Sequence, residues 1–212
     1  MARLIFTPTT SPVTLSSSLL DDPLVNLSTV NVTGTGVDAI DGTTAGTWII
    51  VNDGVIQSAG GRGISLAGSG QVTNGLFGAA SIAGSIAGVG IYGTGSVTNW
   101  GRISGRYGVV LGLGGSVTNG SGGSIAASKF GVRIEHAAGT LVNAGSITAT
   151  PAGGDPLAYA VALIAGGTVT NTGNIAGSEN GVVIQGGRGR ARRPRRPQEY
   201  SELIPQIRRR IF

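Results

Sequence analysis

The groups best suited to acid–base chemistry in this chain of 212 residues are ten carboxylates and one histidine, and there is no cysteine to serve as a thiolate. Cleavage of a glycosidic bond needs two carboxylates about 5–9.5 Å apart. The only acid–histidine pair is Glu135-His136. Neighbours on a strand point to opposite faces, so the two would work together only if a corner began there. Asp38, Asp41, Asp53 and Asp155 recur at no common spacing. Catalytic residues, a metal and a cofactor are therefore all expected to be absent.

Amides offer a different, non-covalent chemistry. Asn52, Asn74, Asn99, Asn119, Asn143 and Asn171 each stand two places after an aliphatic residue, at intervals of 22, 25, 20, 24 and 28 residues. The preceding aliphatics are Ile50, Val72, Val97, Val117, Leu141 and Val169, and a glycine-rich step then leads to Ile56, Ile82, Ile103, Ile125, Ile147 and Ile175. An amide both donates and accepts. If the units stack at the ~4.8 Å spacing of paired strands, each asparagine reaches the next and the six form a ladder.

The elements that would hold such a ladder are strands. Each unit has three short runs that alternate with period two, rich in Val, Ile and Thr and punctuated by Gly and Asn. The third run is read as Gly63-Ile64-Ser65-Leu66, Gly90-Ile91, Gly108-Val109-Val110-Leu111, Gly131-Val132-Arg133-Ile134, Ala160-Val161-Ala162-Leu163 and Gly181-Val182-Val183-Ile184. Val97, Asn99, Ile103, Val109 and Leu111 should point inward, with Thr98, Arg102 and Val110 outward. Gly95, Gly101, Gly105 and Gly108 are expected at corners, through positive φ or close backbone approach. A unit of this length repeated in series is a repeat array. The expected fold is all-β: a right-handed, three-strand parallel β-helix of about six rungs, roughly 29 Å long. No rung can fold alone, because four large aliphatics do not offset the entropy of ordering about 20 residues. The core is expected at Val72, Val97, Val117, Leu141, Val169, Ile103, Ile125, Ile147 and Ile175.

Charge divides the chain. Residues 188–212 hold nine arginines and two glutamates, a net +7, whereas residues 1–187 sum to −2. The repeat region thus carries no basic stripe to engage nucleic acid. Three segments follow: a lead-in or cap at 1–33, the repeats at 34–187, and an Arg/Pro-rich tail at 188–212, either disordered or out of frame. The longest apolar runs fall far short of a membrane span. Insertions at Gly75–Ser81 and Pro151–Ala158 should form surface loops.

Other motifs lack their context. Gly60-Gly61-Arg62-Gly63 and Gly112-Leu113-Gly114-Gly115 do not join a strand to a helix, so a phosphate loop is not supported. Gly34-Thr35-Gly36-Val37-Asp38 occurs once, where a calcium-binding array would repeat it. The outward positions of the third run are read as Ser65, Tyr92, Val110, Arg133, Ala162 and Val183, without a carboxylate. Thr73, Thr98, Thr118 and Thr170, with Val51 and Val142, form an outward file. Ice binding is a minor alternative on that ground; exposed threonine ordinarily suits a strand.

The stretches Gly95-Ser96-Val97-Thr98-Asn99-Trp100-Gly101-Arg102-Ile103-Ser104-Gly105 and Gly167-Thr168-Val169-Thr170-Asn171-Thr172-Gly173-Asn174-Ile175-Ala176-Gly177 resemble the passenger regions of bacterial autotransporters and related β-strand-repeat surface proteins. The likeness spans roughly residues 34–187. It implies a non-enzymatic stalk or adhesin-like segment at the cell surface or secreted, with a host surface or polysaccharide as ligand. A carbohydrate-active or carbohydrate-binding β-helix is the alternative. Neither an export signal nor a translocator barrel is legible, so a fragment is expected. Unpaired edges at the end of the array would favour end-to-end self-association.

Overall fold

A computed structural model describes residues 2–5, 7–16, 22–28, 31–43, 46–77, 79–152, 157–186 and 190–192. Asp155 and the tail beyond residue 192 lie outside them. The chain winds into a right-handed parallel β-solenoid of about seven turns, one more than the repeat count suggests.

Three columns of strands run up the stack. The first holds β1 (Arg3–Ile5), β3 (Leu24–Asn26), β6 (Thr47–Asn52), β9 (Ser69–Asn74), β12 (Gly95–Asn99), β14 (Gly115–Asn119), β16 (Gly139–Asn143), β19 (Gly167–Asn171) and β22 (Arg190–Arg192). The second holds β4 (Asn31–Gly34), β7 (Val55–Ser58), β10 (Ser81–Gly84), the first halves of β13 (Arg102–Leu111) and β15 (Ser124–Ile134), β17 (Ser146–Ala149) and β20 (Asn174–Gly177). The third holds β2 (Val13–Thr14), β5 (Ile40–Gly42), β8 (Ile64–Leu66), β11 (Ala87–Ile91), the second halves of β13 and β15, β18 (Tyr159–Leu163) and β21 (Asn180–Ile184). Pairing therefore starts at Arg3, within the segment read as a lead-in. It also reaches Arg190–Arg192, which pairs with Thr168–Thr170 although its sequence has no strand pattern.

The core is thin and made of vertical files. Ile50, Val72, Val97, Val117, Leu141 and Val169 are in register. Ile56, Ile82, Ile103, Ile125, Ile147 and Ile175 form the second file. Nearly all are fully buried, while Ile175 in the last full turn is only partly covered. The third face supplies two more files, one running from Val13 and Ile40 through Ile64 and the other through Leu66. Its register corrects one reading. Val89 pairs with Ile64 and Ile91 with Leu66, so the third run of that turn is Gly88-Val89-Gly90-Ile91. Gly90 takes the outward place between Ser65 and Val110, and Tyr92 lies beyond it.

Glycine recurs mainly because of packing. Gly95, Gly101, Gly105 and Gly108 are not among the glycines of positive φ. A Cβ on Gly88 would meet Ile103 Cγ2 at 2.5 Å, and one on Gly131 would meet Ile147 Cγ2 at 2.6 Å. On the other side of the core, a Cβ on Gly95 would meet Leu111 Cδ2 at 2.6 Å. Where two strands converge on a slender core, one must present no side chain so that the aliphatic opposite can fill the angle. Gly131→Val, which also drives its Cβ to 2.5 Å from the Ala160 carbonyl oxygen, should cost about 1–3 kcal/mol as overpacking. The check is a lowered urea midpoint at unchanged m-value.

Candidate functional site

The amide ladder occupies the corner between the first and second columns. Asn52, Asn74, Asn99, Asn119 and Asn143 are buried, and each Nδ2 donates to the next Oδ1 at 2.7–2.8 Å up to Asn171. Asn26 begins the series one turn earlier, donating to Asn52 at 2.7 Å. The same amides also donate to corner carbonyls, as Asn99 does to Gly101 at 3.1 Å. This satisfies buried polar groups that would otherwise destabilise the corner. The ladder is a structural site, with its faces spent on itself.

Side chains capable of recognition gather on the third face. Three of the chain's four tyrosines, Tyr92, Tyr107 and Tyr159, stand there together with Phe130. Register places Tyr107, Phe130 and Tyr159 on successive turns. Their rings stack with centroids 5.8 and 5.2 Å apart and planes within 3° and 12° of parallel. Phe130 thus has a ring on each side. Such pairs add ~0.5–1.5 kcal/mol each beyond burial, so this ridge stabilises the stack. The turn before Tyr107 carries Ala87 in the same register, and the ridge ends there in a notch.

Charges surround the notch. Arg62 Nη1 lies 3.4 Å from Asp38 Oδ2, and the Arg62 guanidinium sits 5.3 Å over the Tyr92 ring. Asp38 also accepts the Arg62 backbone N–H at 2.6 Å. Arg133 Nε lies 2.5 Å from Glu135 Oε1, with its guanidinium 5.0 Å from the Phe130 centroid. Arg106 rests 5.7 Å from Tyr107. Partial burial pushes the Tyr92 hydroxyl pKa up, with Asp38 and Glu135 adding to the rise and Arg62 opposing it. Tyr92 therefore stays a neutral donor at physiological pH.

Two readings of acid placement change. Asp41 pairs with Thr14 on one side and Ser65 on the other, and so belongs to the outward file that includes Gly90, Val110 and Arg133; that file does hold a carboxylate. Ser65 and Ala162 in it are buried. The corner does begin after Ile134: His136 adopts φ 55°, and its Nδ1 lies 3.9 Å from Glu135 Oε2 and 3.0 Å from the Gly112 carbonyl oxygen. Asp53 is buried and accepts the Phe77 N–H at 3.0 Å, anchoring the first insertion loop.

Asp41 has its pKa raised, chiefly by burial and then by Asp38, with Arg62 opposing. The folded state thus disfavours the charged form, a penalty present at neutral pH that disappears as pH falls below an aspartate's ordinary 3.8. Asp41→Asn should raise the melting temperature at pH 7. Its advantage over wild type should shrink as pH is lowered through the carboxylate range, which parallel melts at stepped pH would reveal.

The threonine file is present in register as Thr73, Thr98, Thr118, Val142 and Thr170. Beside it runs a second outward file, Gln71, Ser96, Ser116, Thr140 and Thr168. The Ser116 hydroxyl donates to that of Ser96 at 3.3 Å. Among the described residues no group of three or more His, Asp or Glu side chains is placed to hold a metal, and no helix is long and apolar enough to cross a membrane.

The aromatic and arginine cluster escaped the sequence reading because its members fall at irregular intervals. The available signal was composition: in a chain 5% aromatic, nearly every tyrosine falls in the third run of a unit or directly beside it. Comparison with models of protein families, with curated proteins and with solved structures returns no match.

Proposed function

We propose that this chain is a stiff, non-enzymatic solenoid segment of the autotransporter-passenger or adhesin type, displayed outside the cell. It acts by holding side faces and corner loops at fixed intervals along a rod. The observation that supports this best is the unbroken amide series from Asn26 to Asn171, which ties seven turns at one corner without a gap. A ladder of this kind rigidifies and sets register, and performs no chemistry on a ligand.

Proteolysis of intact source cells tests display. External protease should remove the polypeptide while cytoplasmic markers survive; retention of the polypeptide would overturn the reading. A second reading, a carbohydrate-active solenoid, is favoured by Asp41, whose raised pKa arises partly from the neighbouring Asp38 carboxylate on a face that also bears aromatic rings. Release of reducing ends from polysaccharide, abolished by Asp41→Asn or Glu135→Gln, would establish it. We expect none.

A further inference from the structure

We propose that the notch above Gly90 is a binding site for an uncharged sugar residue of a longer glycan. This rests on the display reading and names the ligand class of the displayed face.

The notch exists because two outward positions on β11 carry almost no side chain. Gly90 stands in the file of Ser65 and Val110, and Ala87 in the file of Tyr107. Arg62, Tyr92, Tyr107 and Arg133 rise around this floor and leave a half-open space of about 130 Å³. That is well below the ~300–1,000 Å³ of a site that swallows a whole small molecule. The occupant is therefore one residue of something larger that continues along the open face.

Charge decides the class. Arg62 has Asp38 as its counter-charge and Arg133 has Glu135, while Asp41 stands two turns before Gly90 in the same file. The two arginines that line the notch are thus each paired with an acid, and Asp41 balances in number the Arg106 beside Tyr107, so three arginines face three acids and no excess positive charge remains to select a carboxylate, sulfate or phosphate. What remains is a set of fixed donors and acceptors between aromatic walls. A guanidinium carries five N–H donors, and Arg62 gives one to Asp38 at 3.4 Å. Sugar hydroxyls both donate and accept, so they use guanidinium, carboxylate and phenol alike, while the apolar edge of the ring lies against Tyr92 or Tyr107. The Tyr92 hydroxyl, kept protonated, supplies a further donor.

The site allows a test by filling it. A Cβ on Gly90 would meet first Arg62 Cδ at 3.2 Å, the movable part of a long side chain, and Gly90 has no positive φ. Gly90→Val should therefore fold, as valine suits a strand. The full chain would be titrated calorimetrically with neutral cello-, xylo- and manno-hexaoses and, as the charged arm, with hexagalacturonate. At least one neutral hexaose should bind, insensitive to salt. Gly90→Val and Tyr92→Ala should each weaken it about tenfold or more, with melting temperatures unchanged and Thr118→Ala on the first face without effect. No binding by any neutral hexaose, tighter binding of the uronate, or undiminished affinity in Gly90→Val would overturn the proposal. If binding fails while external protease still reaches the polypeptide, the ligand class falls and the display reading stands.

Discussion

Val117→Asp should unfold several turns together and lower the melting temperature by roughly 8–16 °C at pH 7, taking ~4 kcal/mol at ~2–4 °C per kcal/mol for a chain of this size. Val117 is fully buried between Val97 and Leu141 in the first file of the core. A carboxylate there has no counter-charge, and an isolated buried charge costs several kcal/mol. The core is one side chain deep, so no second layer exists into which the charge could turn. Turns contact only their neighbours, hence the damage spreads along the stack as lost interfaces. Burial raises the pKa of the introduced aspartate. Its protonated form is the tolerated one, and the deficit should shrink as pH falls through that raised pKa. Circular dichroism and thermal melts at pH 7 and pH 4 provide the check, and wild-type behaviour at both would contradict the inward placement of Val117.

Asn99→Leu should cost about 2–4 kcal/mol, at ~1–3 kcal/mol for each buried polar group left without a partner. Asn99 accepts from Asn74 at 2.8 Å and donates to Asn119 at 2.8 Å. Leucine leaves Asn119 Oδ1 without its donor and deprives Asn74 of its side-chain acceptor, although Asn74 still reaches the Arg102 carbonyl at 3.1 Å. The same change at Asn171 should cost under ~1 kcal/mol, because that end of the ladder is only partly buried and water can replace the lost bonds. Urea unfolding of the two variants side by side tests the gradient. Equal losses would mean that the amides act as separate turn formers.

Much of the architecture was legible because the repeat is simple. An aliphatic, one residue, then asparagine, recurring every 20–28 residues, specifies one inward file and one corner. Asn26 follows Leu24 in the same way but has no glycine step to an isoleucine, so its place in the ladder was missed. Gly88-Val89 and Gly90-Ile91 are two glycine–aliphatic pairs in a row, and local pattern allows either to match Gly63-Ile64. Pairing with β8 selects the first, because only then do Val89 and Ile91 both enter the core. That choice moved Tyr92 out of its expected file and opened the notch.

By itself the sequence determined a parallel solenoid, its core files and its amide corner, because period and burial are local properties repeated in every unit. Tertiary structure alone decided why glycine recurs, since the methyl groups of Ile103 and Ile147 occupy the space that a side chain at Gly88 or Gly131 would need. It alone assembled the third face as well. Arg62, Tyr92, Tyr107 and Arg133 belong to different turns, and they meet because stacking brings distant residues to the ~4.8 Å spacing of paired strands, a distance that no linear pattern encodes.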